Sequence, residues 1–190
     1  MDQYAEIHKE IIEQSKRGNI KAQHQLYNLY TKSMFNICMR MLKNRSDAED
    51  ILQESFCDVF DKLATFQYES SFGAWLRRVV INKCINFLKA KKVELVLIDN
   101  LLRLDVSEES EDDFDIELNV AKVHKAIELL PDGYRVIFNL KVFEGYEHSE
   151  IAQILEISES TSKTQFMRAK RKLKEILKNK NSNNIEEAVI

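Results

Sequence analysis

The sequence predicts an all-α protein organised as two small helical domains, and three observations carry that reading. Its 190 residues include only four glycines and one proline, too few for a turn-rich strand architecture. Apolar residues recur at intervals of three and four through the polar segments, the spacing of a helix face rather than the alternation of a strand. Charge is also segregated: residues 1–92 hold 15 Lys and Arg against 11 Asp and Glu, residues 93–118 hold 1 against 10, and residues 119–180 hold 12 against 8. Two basic blocks therefore flank an acidic one, which the net charge of −3 conceals.

In the first block, residues 2–43 read as two helices separated near Gly18 and Asn19. Leu26, Leu29, Tyr30, Met34, Ile37, Cys38, Met41 and Leu42 form the core-facing stripe of the second. The next helix starts at Ser46-Asp47-Ala48-Glu49. There Ser46 can cap the helix, Glu49 can return to the cap's own N–H, and Asp47 suits the positive end of the helix dipole. Leu52, Phe56, Val59, Phe60 and Leu63 form its buried stripe, opposite Asp47, Asp50, Glu54, Asp58 and Asp61. Those acids fit either a solvated face or a docking surface for a basic partner, and Ile51 beside them favours docking. A carboxylate metal site is disfavoured, because the acids point away from the apolar stripe and none of His8, His24, His124 or His148 has a Glu three residues before it.

Periodicity lapses from Lys62 to Ser71, which reads as a loop with Phe66 and Tyr68 exposed among polar groups. A helix over about Phe72–Lys92 follows. It is apolar on more than one face (Trp75, Leu76, Val79, Val80, Ile81, Cys84, Ile85, Leu88) and carries Arg77, Arg78, Lys83, Lys89, Lys91 and Lys92. Aromatics beside cations can stack unpaired bases and neutralise phosphates, although Phe72 and Trp75 also suit a core.

The acidic run within residues 93–118 repels itself and resists burial, so a flexible linker is expected. The second block opens near Asn119 with a stripe of Val120, Val123, Ile127 and Leu130 that stops at Pro131. A helix over about Gly133–Phe143 carries Val136, Ile137, Leu140 and Val142 and ends before Gly145. A short helix over Ser149–Leu155 comes next, with Ile151, Ala152, Ile154 and Leu155 apolar and Ala152 small enough for a crossing helix to approach.

Ser158 and Ser160 then supply N-cap chemistry for a longer helix. On it Ser162, Phe166, Ala169, Leu173, Ile176 and Leu177 share one face, while Lys163, Thr164, Met167, Arg168, Arg171 and Lys174 share the other. This pattern fits a helix-turn-helix whose second helix enters a major groove, and also an ordinary amphipathic surface helix. The tail after Lys180 suggests no role.

Cys38, Cys57 and Cys84 lie in apolar helical stretches with no CxxC and no Cys/His cluster, and are expected as buried thiols of a cytosolic protein. The N-terminus lacks the regions of a signal peptide, and no apolar run is long enough to span a bilayer. A soluble, cytoplasmic protein without membrane insertion is expected.

Taken together, the segments resemble the extracytoplasmic-function (ECF) sigma factors of bacterial RNA polymerase. SDAEDILQESF (Ser46–Phe56) and SFGAWLRRVVINKCINFLK (Ser71–Lys89) are similar to the acidic capped helix and the aromatic, basic promoter helix of their region 2. LLPDGYRVIFNLKVFEGYEHSEIAQIL (Leu129–Leu155) and ISESTSKTQFMRAKRKL (Ile157–Leu173) are similar to region 4. The likeness spans most of residues 20–178, in the family's order. It implies a region 2 helical bundle over 1–92, an acidic linker over 93–118, a region 4 helix-turn-helix over 119–180 and a tail over 181–190.

The resemblance further implies a non-catalytic promoter-specificity subunit, without cofactor or metal. It would bind core RNA polymerase, promoter DNA as duplex and as melted non-template strand, and an anti-sigma factor. A stand-alone helix-turn-helix regulator is the alternative. By position, Asp50, Gln53 and Glu54 would meet the polymerase clamp, with Asp47 and Ile51 on the same surface. Phe66, Tyr68, Ser71, Trp75, Arg77, Arg78, Asn82 and Lys83 would handle the minus-ten strand. Ser160, Thr161, Lys163, Thr164, Met167, Arg168 and Arg171 would meet the minus-thirty-five duplex.

Three positions depart from the family pattern. Glu156 stands where the turn usually has glycine, and a positive φ there would strain it. Ser160 replaces a glycine and Gln165 a common basic residue, which bears on phosphate contacts and base preference.

Overall fold

The computed structural model describes residues 8–91 and 120–186, and every regular element among them is helical. The chain divides into two compact units, residues 1–91 and 92–190. The expected linker lies outside the described residues.

In the first unit, α1 (Lys9–Lys16) and α2 (Ile20–Leu42) are separated where expected. Gly18 takes φ +79°, and the Asn19 side chain caps α2 by accepting from the N–H groups of Lys21 and Ala22 at 3.0 and 3.2 Å. α2, α3 (Arg45–Lys62) and α4 (Phe72–Ala90) pack against one another around Leu26, Met34, Cys38, Leu52, Phe56, Val59, Leu76, Val80 and Ile81. Each large apolar side chain buried this way contributes about 1.5–3 kcal/mol. Leu29 departs from its predicted place: it lies off the α2 stripe, beside Ile11 of α1, and is 50% exposed.

The start of α3 differs from the capping box read at Ser46. Asn44, an equally good cap residue, accepts from the N–H of Asp47 at 3.1 Å, so the helix begins at Arg45 and Ser46 lies inside it, exposed. Glu49 instead meets Arg45 at 2.8 Å. Ile51 is also displaced from its expected role, being buried at 4% exposure. Ala48, Ile51, Ser55 and Val59 recur at three and four residues and are all buried, so α3 buries a wider face than Leu52 and Phe56 alone define. Ser55 satisfies its hydroxyl by donating to the Ile51 carbonyl at 2.6 Å.

The cysteines do not share one environment. Cys38 and Cys84 are buried where α2 meets α4, with sulfurs 3.8 Å apart. The hydrogen bond to Cys38, and then burial, push the Cys84 thiol well above its ordinary pKa. Cys57, expected to be buried, is exposed, one position past Phe56 and beyond the edge of the buried face.

In the second unit, α5 (Val120–Glu128), α6 (Asp132–Val142), α7 (His148–Leu155) and α8 (Glu159–Glu186) enclose a core of Ile127, Leu130, Tyr134, Phe138 and Ala169, with Val123, Phe166, Leu173 and Ile176 against it. Val120 and Val142, read as core, lie at helix ends and are 70% and 51% exposed. α6 is buried from Gly133 through Leu140, including Arg135 at 1% exposure. That guanidinium pairs with Asp132 and donates to the Leu130 carbonyl at 3.1 Å. Burial pulls its pKa down and Asp132 opposes the shift. α8 runs past the expected end at Lys180 to Glu186.

The break between α7 and α8 rests on Glu156, whose φ of +59° and ψ of 42° are left-handed, as the missing glycine foretold. Its N–H donates to the Ala152 carbonyl and closes α7. An L-residue in this region carries about 1–2 kcal/mol of strain, part of which glycine gives back through its more flexible unfolded chain. Glu156→Gly should therefore stabilise the second unit by roughly 0.5–1 kcal/mol, read as a higher thermal midpoint.

Candidate nucleic-acid interface

Both helices of the helix-turn-helix are held by specific contacts. α7 opens with the Glu147 N–H donating to the Glu150 carboxylate at 2.7 Å. α8 is capped by Ser158, whose hydroxyl accepts from the Thr161 N–H at 3.0 Å. Ser160 is thus the second residue of the helix rather than a cap. Its hydroxyl and that of Thr161 each lie 2.8 Å from the Ser158 hydroxyl.

The inward face of α8 is locked to α7. Ser162 is fully buried with its hydroxyl 2.9 Å from His148 Nδ1, and the His148 ring meets Phe166 edge-on at 5.5 Å. Burial first, then Lys141 and Lys163, lower the His148 pKa, so the ring is neutral at neutral pH. Gln165 is 3% exposed, so its own amide is turned away from the outward face.

The opposite face is presented to solvent. Lys163, Thr164, Met167 and Arg171 are exposed and Arg168 is half-buried beside them, while Thr161 sits half-buried at the helix start. Lys163 pairs with Glu159 at 2.7 Å, a contact between exposed groups that an incoming phosphate can replace. The positive end of α8 and this run of cations therefore share one side of a helix whose other side is packed, which suits a polyanion.

The first unit places its candidate residues less as expected. Phe66 is not exposed: it is 4% accessible, packed against Tyr68, Phe72 and Trp75 with ring centroids at 4.7, 5.8 and 5.2 Å. Its surroundings were invisible locally because the closing group comes from α1, where Lys16 Nζ donates to the Phe66 carbonyl at 2.9 Å. Tyr68 is half-buried at φ +61°, an uncommon conformation for an aromatic residue that costs about 1–3 kcal/mol. Its hydroxyl donates to Glu13 Oε1 at 2.6 Å, and Lys16 Nζ lies 4.5 Å from its ring centre. Burial and then Glu13 raise the phenol pKa, while Tyr68 and then Lys16 lower that of Glu13.

Ser71 caps α4 by accepting from the Ala74 N–H at 3.2 Å. Trp75 and Arg77 are half-buried, and Arg78 and Asn82 are exposed. Lys83 reaches Glu54 at 3.0 Å and Asp58 at 3.3 Å on α3; Glu54 first, then Asp58, raise its pKa. Asp50, Gln53 and Glu54 are exposed, Asp47 meets Lys91 at 2.8 Å, and Ile51 faces inward and can form no part of an outer surface. Sequence reasoning assigned nothing to Glu13 and Lys16, which lie 55 and 50 residues from their partners and left no local signal.

Residues 26–93 match the family model for sigma-70 region 2 and residues 121–173 that for sigma-70 region 4, in that order. The ECF RNA polymerase sigma factor SigW of Bacillus subtilis (strain 168) is 28% identical over 183 residues, covering 90% of this chain and 96% of the relative. The RNA polymerase sigma-H factor of Pseudomonas aeruginosa (PAO1) is 26% identical over 174 residues, covering 85% and 89%. The chain belongs to the ECF sigma factors. The fold agrees: CnrH, solved in complex with the cytosolic domain of CnrY, shares it at TM-score 0.53 and 22% identity, over 89% of this chain and 96% of that one. RpoE from Bartonella quintana, solved with the anti-sigma factor NepR, does so at 0.54 and 21%, over 84% and 98%.

As an alternative sigma factor, the protein is a transcription initiation factor whose regions 2 and 4 bind core RNA polymerase and promoter DNA. The presence of region 2 disfavours a stand-alone helix-turn-helix regulator. Among the described residues of this sigma factor, no helix is long and apolar enough to cross a membrane, and no three His, Cys, Asp or Glu side chains gather as a metal site.

Proposed function

We propose that this sigma factor divides its work among three surfaces. Asp50, Gln53 and Glu54 on α3 meet a basic surface of core polymerase, with Asp47 at the margin. Tyr68, Trp75, Arg77, Arg78, Asn82 and Lys83, supported by Phe66 and Ser71, hold the melted minus-ten strand. The start of α8 with Ser160 and Thr161, followed by Lys163, Thr164, Met167, Arg168 and Arg171, docks on the minus-thirty-five duplex. Residues 1–92 and 119–180 are then the two functional domains, with 93–118 a tether and 181–190 a tail. The protein acts in the cytoplasm, without catalysis or cofactor of its own, and is held in reserve by an anti-sigma factor.

The observation that carries this reading is the one-sided α8, whose rear is locked by Ser162 and His148 while Lys163, Thr164 and Met167 face outward. A bidentate arginine contact to guanine discriminates by roughly 1–3 kcal/mol, while a lysine on a phosphate adds affinity without choosing a base. Arg168→Ala should relax preference at one or two minus-thirty-five positions. Lys174→Ala, further along the helix, should weaken all promoters alike and flatten the salt dependence. Selection from a randomised minus-thirty-five library by holoenzyme carrying each variant checks both. An unchanged motif with the Arg168 variant removes that residue from base reading.

A further inference from the structure

We propose that Glu13 on α1 is a positioning residue for promoter melting: it holds Tyr68 in the conformation that presents the 66–71 loop to an unpaired base of the non-template strand. The inference rests on the reading that this loop and Trp75 meet the minus-ten strand.

Tyr68 keeps a left-handed backbone that its own sequence disfavours, so the conformation must be held from outside the loop. The holding groups come from one short stretch of α1. Glu13 accepts the Tyr68 hydroxyl at 2.6 Å, and Lys16 meets Glu13 at 3.1 Å while donating to the Phe66 carbonyl at 2.9 Å. The Lys16 ammonium also lies over the Tyr68 ring at 4.5 Å, and that of Lys9 at 5.7 Å. The two ends of the aromatic cluster are thus fixed to α1, the hydroxyl by Glu13 and the backbone by Lys16. Released from Glu13, Tyr68 can relax to negative φ and swing its ring away from Phe66, now 4.7 Å off. The platform beside Trp75 is then no longer preformed, and a base must pay its ordering on arrival.

The test uses the full chain with core polymerase on a promoter fragment selected by the parental holoenzyme from a randomised library. Permanganate reactivity of unpaired thymines measures melting. Glu13→Ala should lower the rate of melting about fivefold, the net effect of one side-chain hydrogen bond, with core affinity and minus-thirty-five duplex affinity unchanged. Glu13→Gln keeps an oxygen that accepts from Tyr68 and should restore melting to within about twofold of the parent. Tyr68→Phe should match Glu13→Ala, and the double variant should lose no more than either alone.

Normal melting by Glu13→Ala, or a double variant whose losses add, overturns the proposal. Trp75→Ala is run beside them. If it impairs melting while Glu13→Ala does not, only the positioning role fails. If Trp75→Ala and Glu13→Ala both melt DNA normally, the assignment of the loop to the minus-ten strand fails with it.

Discussion

Asp50→Arg combined with Glu54→Arg should cut affinity for core RNA polymerase by roughly a hundredfold or more while leaving the helical fold intact. Both side chains are exposed on α3, so reversal removes no buried apolar area. Glu54 does lose its contact with Lys83, but Asp58 remains at 3.3 Å to hold that ammonium, and ion pairs this exposed contribute about 0–1 kcal/mol. Against a basic surface the same change replaces two desolvated attractions by two repulsions, and losing even one partner of such a pair costs about 2–5 kcal/mol. Titration of labelled core polymerase, with circular dichroism as the control for folding, measures the effect. Unchanged affinity would leave α3 a solvated face. Ile51 needs no variant at this surface, because its burial removes it from contact.

Arg135→Ala should unfold the second unit and leave the first intact. The side chain is among the largest fully buried ones in the protein, pairs with Asp132 and satisfies the Leu130 carbonyl at the turn before α6. Its removal opens a cavity, strips that carbonyl of a donor and costs about 3 kcal/mol, a large share of what a domain of this size possesses. Hydrogen exchange should then accelerate across α5–α8 while amides of α1–α4 keep parental protection. Arg135→Met, which refills the volume without the charge, should recover part of the loss. Equal protection in both units would mean that α6 packs without its guanidinium.

What the sequence disclosed follows the range over which each feature is determined. The breaks at Gly18 and Gly145, the stripes of α2 and α3 and the two-sided α8 depend on residues within a turn or two of one another, so periodicity reveals them. The strained turn at Glu156 was equally legible, as a glycine missing where the family has one. Ile51 was misplaced because α3 is packed by both α2 and α4, and a helix with two neighbours buries more of its circumference than one stripe suggests. Phe66 was misplaced for a different reason. Its polar neighbours in sequence say nothing about Lys16, 50 residues away, or about Phe72 and Trp75 closing over its ring. Arg135 has no role assigned from the sequence, and its burial depends on the pairing with Asp132 and the Leu130 carbonyl that the turn before α6 brings to it.

The unequal cysteines make the first unit chemically addressable as it stands. Thiol reagents act on the thiolate and need access; Cys38 and Cys84 are both enclosed, and the Cys84 proton is also held against removal by its sulfur neighbour. Cys57 alone opens to solvent, three residues along α3 from Glu54. A maleimide dye added to the unmodified protein therefore marks a single point, one helical turn from the acidic patch. Its emission reports the arrival of a macromolecule on α3 in real time, without an engineered residue.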